Sequence, residues 1–184
     1  MASPDDTALL VEPNPKAETF WQWSLDFYAQ EKVKDALLIL QDRYGYNVNS
    51  VLWSLWAPQQ NWYFDQAEAE EITSSITHFH RYSVERLREI RRYLTSAKHH
   101  FPKNEVEAYR KEVFALELKG EKLLQARLIT ASLYILGQRT SDDTQQKVDP
   151  EQAAWLYFIA CSSNLEKPTI LANDHGPLGP DTLY

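Results

Sequence analysis

Apolar residues recur at spacings of three and four along most of this chain, which is the period of an amphipathic α-helix. One stripe begins after Asp65 and consists of Ala69, Ile72, Ile76, Phe79, Ser83, Leu87, Ile90 and Leu94. A second follows the turn at His99–Lys103, with candidate core residues Val106, Tyr109, Val113, Leu116, Leu123, Leu128 and Leu133. No segment has the alternating pattern of a strand. We therefore predict an all-α fold, a single-domain bundle of five or six helices with two long antiparallel helices.

Capping residues mark the ends of the first three helices. Asn14-Pro15 places an N-cap before proline at the first helical position, and Thr19-x-x-Gln22 is a competing capping box. Gly45 is suited to end the second helix in a left-handed conformation. Asn47 or Asn49 then accepts backbone N–H groups at the start of the third helix.

Three further signals concern the long helices. Asp65-x-x-Glu68 is a capping box at the start of the first, in which a break near Ser83 is an alternative. Gly120 lies in the middle of the second and predicts a close helix–helix crossing. Gly137 is expected to terminate that helix.

The chain of 184 residues is long enough for one domain with a hydrophobic core. We predict a mobile arm over 1–13, a helical domain over 14–165 whose last helix begins at Asp149, and an irregular tail over 166–184. The single cysteine, Cys161, excludes an internal disulfide and a cysteine-rich zinc site. With no secretory signal and no membrane-spanning stretch, we expect a cytoplasmic protein.

The net charge of −7 argues against general attraction to nucleic acid or to an anionic membrane. A local exception is the segment 81–103, which carries seven basic and two acidic residues. Its arginines Arg88, Arg91 and Arg92 are candidates for a partner surface or for a phosphate or RNA site. The competing interpretation, which we favour, is that they pair with glutamates of the following helix.

A polar junction separates the second and third helices. Gln41, Asp42, Asn47 and Asn49 either converge on a ligand pocket or serve as caps and turn-stabilising groups. Capping explains nearly every one of these residue types, so the cap interpretation is favoured.

This junction also carries a family resemblance. Trp21, Leu25 and Tyr28 precede the run Leu40-Gln41-Asp42-x-x-Gly45-x-x-Val48-Asn49, and Arg91-Arg92 and Glu117-Leu118 follow it. The chain thereby resembles an uncharacterised proteobacterial family of small all-helical proteins, over residues 18–136. The resemblance implies the fold and no activity.

Two groups of side chains have the chemistry of a catalytic or metal site. Glu117 and Glu121 lie one turn apart on one helix face, as acid–base or metal-binding carboxylates do, although such pairs are more often ion-paired. His78 and His80, two residues apart, point to different faces and cannot chelate one metal ion together. We predict no metal and no cofactor.

The connection Trp62-Tyr63-Phe64 is the remaining candidate. An aromatic cluster in a connection is either a partner-binding surface or a lid that folds over the end of the bundle. Our leading expectation is a non-enzymatic interaction protein with a protein partner. The alternative is a helical enzyme or ligand-binding protein with a pocket between the long helices, and the third is phosphate or RNA binding.

Overall fold

The computed structural model describes residues 14–96 and 100–139. The predicted arm 1–13, the helix from Asp149, Cys161 and the tail 166–184 lie outside these residues. The described chain contains the helices α1 (Pro15–Tyr28), α2 (Glu31–Tyr44), α3 (Val48–Trp56), α4 (Gln66–Ser74), α5 (Thr77–Phe79), α6 (Glu85–Tyr93) and α7 (Lys103–Gln138). Because no strand occurs in the described residues, the all-α prediction is confirmed.

The caps of the early helices form as their residue types predict. The Asn14 side chain accepts the backbone N–H of Lys16 at 2.9 Å, whereas Thr19 lies inside α1 and donates its hydroxyl to the Pro15 carbonyl. Gly45 ends α2 with φ of 71°, in the left-handed region where glycine is favoured. Asn47 is the N-cap of α3.

The first long helix is divided, which corrects the prediction of one continuous stripe over about eight turns. The capping box Asp65–Glu68 starts α4, but α4 ends at Ser74. The hydroxyls of Ser74 and Ser75 donate to backbone carbonyls three residues earlier, in competition with the helical N–H groups. A π-helical turn, His80–Val84, then joins α5 to α6 and includes the predicted break at Ser83.

At Gly120, the long helix α7 packs closely against the end of the π-helical turn that leads into α6, as predicted. A Cβ at Gly120 would lie 2.8 Å from Cγ2 of the buried Val84. One turn further along α6, Arg88 contacts α7 at Glu117 and Glu121. Arg91, later still, pairs with Glu117, the earlier of these two glutamates, so the two helices run antiparallel.

The buried face of α7 differs from the predicted one. Tyr109, Leu116 and Leu123 are more than half exposed, although all three were expected in the core. The face toward the bundle instead includes Glu117 and Gln125. Gly137 lies within the last turn of α7, which continues to Gln138.

The centre of the bundle is aromatic. Trp53 and Trp56 of α3 are buried, and the Trp56 ring packs on Phe20 of α1 at 5.0 Å between centroids. The Trp53 indole N–H donates to the Ser132 hydroxyl of α7 at 2.9 Å, so its one polar atom is satisfied inside the core. Among the described helices, none combines the length and apolar character needed to cross a bilayer.

Candidate functional site

A pocket of about 270 Å³, partly open to solvent, lies between α1, α2, α3, α6 and α7. Most of its wall is apolar, formed by Trp21, Leu25, Tyr28, Leu38, Val48, Leu52, Phe114 and Leu118. The polar lining residues are Ser24, Gln41, Asn49, Arg88, Arg91, Arg92, Glu117, Glu121 and Gln125. An apolar wall with a few convergent polar groups is typical of small-molecule sites.

This pocket joins three groups of candidates that the sequence presents separately. It brings the junction residues Gln41 and Asn49 together with the three arginines of α6 and with Glu117 and Glu121 of α7. Because Asn49 lies 72 residues from Glu121 and 76 from Gln125 in the sequence, no local pattern indicates this convergence.

Ion pairs between α6 and α7 form the first part of the polar wall. Arg88 donates its Nε–H to Glu117 at 3.1 Å and its Nη2–H to Glu121 at 2.5 Å. Arg91 donates through Nε and Nη2 to both oxygens of Glu117, at 2.5 and 3.1 Å. Only 7% of the Glu117 side chain and 12% of the Arg88 side chain are exposed, so these pairs are shielded from water.

Amide side chains extend this network to α3. Asn49 donates its Nδ2–H to Oε2 of Glu121, and it accepts at Oδ1 from Nε2 of Gln125 at 3.0 Å. A continuous series of hydrogen bonds therefore runs from Arg91 through Glu117, Arg88, Glu121 and Asn49 to Gln125. These bonds hold the polar wall in one arrangement.

Two buried polar atoms in the pocket lining have no hydrogen-bond partner among the described residues. They are Oγ of Ser24 and Oε1 of Gln125. The two residues are only 3% and 2% exposed. Buried polar groups are almost always hydrogen-bonded in native proteins, and both of these atoms belong to residues that line the pocket.

The two carboxyl groups of the pocket have opposite pKa shifts. Burial raises the pKa of Glu117, but the hydrogen bonds and charges of Arg91 and Arg88 outweigh burial, so the pKa lies below its ordinary value. Burial dominates at Glu121 and raises the pKa of that carboxyl, with Arg88 and Asn49 opposing the shift. Such divergent carboxyl environments are found in acid–base sites as well as in structural ion pairs.

The other junction residues lie outside the pocket lining. Asn47 accepts the backbone N–H groups of Asn49 and Ser50 and therefore acts as a cap. Asp42 lies beside the pocket mouth, where it accepts from Gln41 at 3.1 Å and from Arg92 at 3.0 Å. The Gln41 hydrogen bond is the main cause of the lowered pKa of Asp42.

The two histidines are also outside the pocket. His78 is exposed beside Tyr82, with the ring centroids 4.6 Å apart. Burial, and to a smaller extent the charge of Arg88, lowers the pKa of His80 to about 4. The Glu85 carboxylate lies 3.7 Å from His80, but it is 42% exposed and does not offset burial. In the described residues, no three His, Cys, Asp or Glu side chains are grouped to hold a metal ion.

The aromatic connection packs into the core. Trp62 and Phe64 are buried, Trp62 edge-on against Trp56 and Phe64 against Trp53. Arg139 closes over the connection, because its Nη2 donates to the Tyr63 carbonyl at 2.7 Å. The rings of Trp62 and Phe64 are therefore not available as an exposed surface.

Sequence reasoning missed Ser24 and Gln125. Gln125 follows Glu117 and Glu121 at the same spacing of four, so the helical face that carries the two carboxylates also indicates this residue. Ser24 has no comparable signal, because a serine within an aromatic helix is an ordinary occurrence.

A family model matches residues 19–128, and its description is a protein of unknown function, DUF2390. The matched region contains all of the pocket-lining residues. No curated protein and no solved structure matches the chain significantly.

Proposed function

The chain belongs to the DUF2390 family, whose description assigns no activity, and we propose that its pocket binds a small, partly apolar organic molecule. This proposal favours the ligand-binding alternative over the interaction protein expected from the sequence. Its basis is the geometry of the pocket.

The observation that carries the proposal is the pair of unpartnered atoms, Ser24 Oγ and Gln125 Oε1. An unsatisfied buried polar group costs about 1–3 kcal/mol. A ligand removes that cost if it donates a hydrogen bond to Oε1 of Gln125 and either donates to or accepts from the hydroxyl of Ser24. Ser24 and Gln125 share the pocket with apolar lining residues that suit the remainder of such a molecule.

The polar wall is also held ready for binding. Glu117 and Glu121 are held by Arg88, and Asn49 is held between Glu121 and Gln125. Side chains that are already ordered lose little conformational entropy when a ligand arrives. This support favours a preformed binding site.

A fragment screen by ligand-observed NMR on the full chain tests the proposal. Leu118 lines the pocket, and Leu118→Trp fills part of the pocket with a bulky indole ring. Leu116, on the same helix, is outside the lining and 55% exposed, so Leu116→Trp is the matched control. We expect fragments that bind the wild type and Leu116→Trp but lose affinity for Leu118→Trp. A screen without any such fragment would reject the proposal.

A protein-interaction function is a second candidate, supported by α7. Its exposed apolar residues Tyr109, Leu116 and Leu123 are spaced seven apart and therefore follow one face of the helix. Exposed apolar stripes of this kind occur at helix-docking interfaces. Affinity capture with the wild type and with Leu116→Glu/Leu123→Glu tests it, because a specific partner is lost from the double variant only.

A further inference from the structure

We propose that the ligand of this pocket is a small aromatic acid, with its carboxylate held by Arg92 and Arg91 and a hydroxyl or N–H at its opposite end donating to Gln125. This inference rests on the proposed ligand-binding function and specifies its ligand class. Three features of the pocket support it: the hydrogen-bond donors that are not yet used, the charge and the shape.

At the α6 side of the pocket, the polar groups that are still free to form hydrogen bonds are donors. Both oxygens of Glu117 and both oxygens of Glu121 already accept hydrogen bonds. The Nη1 group of Arg91 makes no hydrogen bond to any described residue, and Arg92 uses only Nη2. Guanidinium groups have no acceptor, so a ligand group that pairs with them must accept hydrogen bonds.

The charge of the lining favours an anion over a cation. Three arginines and two glutamates line the pocket, which leaves one net positive charge. Carboxylate is the anion that best fits the planar guanidinium, since it accepts two parallel N–H bonds.

Arg92 is the residue most easily engaged. Its side chain is 58% exposed, and its partner Asp42 is 51% exposed. An ion pair this accessible to water contributes little stability, so a ligand carboxylate replaces Asp42 at small cost. Arg88, in contrast, is committed to two buried carboxylates and keeps its position.

The shape of the pocket indicates the rest of the molecule. Trp21 and Phe114 provide flat aromatic surfaces beside the apolar Leu118, and the Arg91 guanidinium lies 5.5 Å from the Phe114 ring centroid. A volume of about 270 Å³ is near the lower limit of ligand sites, which start at roughly 300 Å³, and so favours a single-ring compound. Gln125 is 2% exposed, whereas Arg92 is largely exposed. The hydroxyl or N–H of the ligand therefore lies deep in the pocket, and its carboxylate lies near the solvent.

The probes are three compounds that differ in one group: 4-hydroxyphenylacetate, its neutral amide and tyramine. Titrations of the full chain at pH 7, followed by NMR, measure each affinity. We expect the acid to bind about tenfold more tightly than the amide, because hydrogen bonds to charged groups are stronger than neutral ones. Tyramine, a cation, is expected to bind most weakly.

A matched pair of variants locates the carboxylate. Arg92→Gln is expected to lower the affinity for the acid about tenfold and to leave the amide unchanged. Arg86→Gln is the control, because Arg86 is on the same helix, is 53% exposed and pairs with Glu89 outside the pocket. It should change neither affinity.

The outcomes separate this inference from the proposed function. Equal binding of acid and amide, tightest binding of tyramine, or an acid affinity unaffected by Arg92→Gln would overturn the carboxylate assignment and leave a ligand pocket in place. The assignment also fails if none of the three compounds binds and the fragments sensitive to Leu118→Trp are not acids. If the screen yields no fragment sensitive to Leu118→Trp, the proposed function fails as well.

Discussion

Val84, directly before α6, packs so closely on Gly120 of α7 that a Cβ on Gly120 would meet Cγ2 of Val84 at 2.8 Å. Val84 is fully buried at the end of the π-helical turn. This contact sets the spacing of the two helices. Arg88, one turn beyond Val84, consequently lies between Glu117 and Glu121, and the polar wall of the pocket depends on that position.

Gly120→Ala is expected to destabilise the protein by up to about 2 kcal/mol. Alanine improves helix propensity by about 1 kcal/mol, but overpacking against a buried valine costs about 1–3 kcal/mol. Gly137→Ala is the matched control, because no atom lies within 4 Å of a Cβ there. It should stabilise α7 by up to about 1 kcal/mol. Urea unfolding of the two variants measures both changes.

The double variant Val84→Ala/Gly120→Ala tests whether overpacking against Val84 causes the destabilisation expected of Gly120→Ala. Removing the valine methyl groups makes room for the new Cβ, so the two substitutions should be coupled by about 1 kcal/mol or more in the favourable direction. Strict additivity would show that the Gly120→Ala effect arises elsewhere.

Ser24→Ala is expected to stabilise the ligand-free protein by about 1 kcal/mol, because it removes a buried hydroxyl without a partner. Ser54→Ala is the control. Its hydroxyl is equally buried but donates to the Val51 carbonyl at 2.7 Å, so its removal gives no such gain. Chemical denaturation compares the two. Equal losses of stability in both variants would mean that Ser24 is satisfied in the folded protein.

The helix boundaries are well predicted from sequence because caps are local. Gly45, Asn47 and the Asp65–Glu68 box act within a few residues of their own positions, so short patterns identify them. A break near Ser83 was an alternative interpretation of the first long helix, but the end of α4 at Ser74 was not predicted. Its apolar stripe continues through Ser74 and Ser75, whose hydroxyl–carbonyl bonds have no signature in the spacing of apolar residues.

The buried face of α7 was assigned correctly at Val113 and Leu128 but incorrectly at Tyr109, Leu116 and Leu123, for a different reason. Apolar residues occur all round this helix, so periodicity does not distinguish Leu116 and Leu123, which face solvent, from Leu124 and Leu128, which face the core. The pocket was equally inaccessible to local patterns, since Asn49 and Glu121 meet only after the chain has folded. Their residue types indicated polar chemistry, but not their proximity.

His80 should make the protein acid-sensitive. A histidine ordinarily titrates near pH 6.5, and burial lowers the pKa of His80 to about 4. The unfolded chain therefore binds this proton first, and stability is lost as the pH falls from 6.5 toward 4, by about 3 kcal/mol from this group. Unfolding free energies at pH 7 and pH 4 should differ less in His80→Gln than in the wild type. His78→Gln, at an exposed position, should leave the difference unchanged.

Glu117 and Glu121, one turn apart, are expected to have opposite effects on the pH dependence of stability. The pKa of Glu117 is lowered in the folded state, so its contribution is present above pH 4.5 and is lost as the pH falls through the folded pKa. Glu117→Gln should therefore cost about 3 kcal/mol at pH 7, since it leaves two arginines without their shared partner, and progressively less in acid.

Glu121→Gln should behave in the opposite way. The pKa of Glu121 is raised, so the protonated form favours folding and that advantage is lost as the pH rises through the folded pKa. Glutamine resembles the protonated carboxyl, and the variant should be at least as stable as the wild type at pH 7. The two proteins should converge below pH 4.5. Urea unfolding from pH 3.5 to 7.5 measures both variants. Parallel pH profiles would show that the two carboxyls share one environment, and would contradict the opposite pKa shifts.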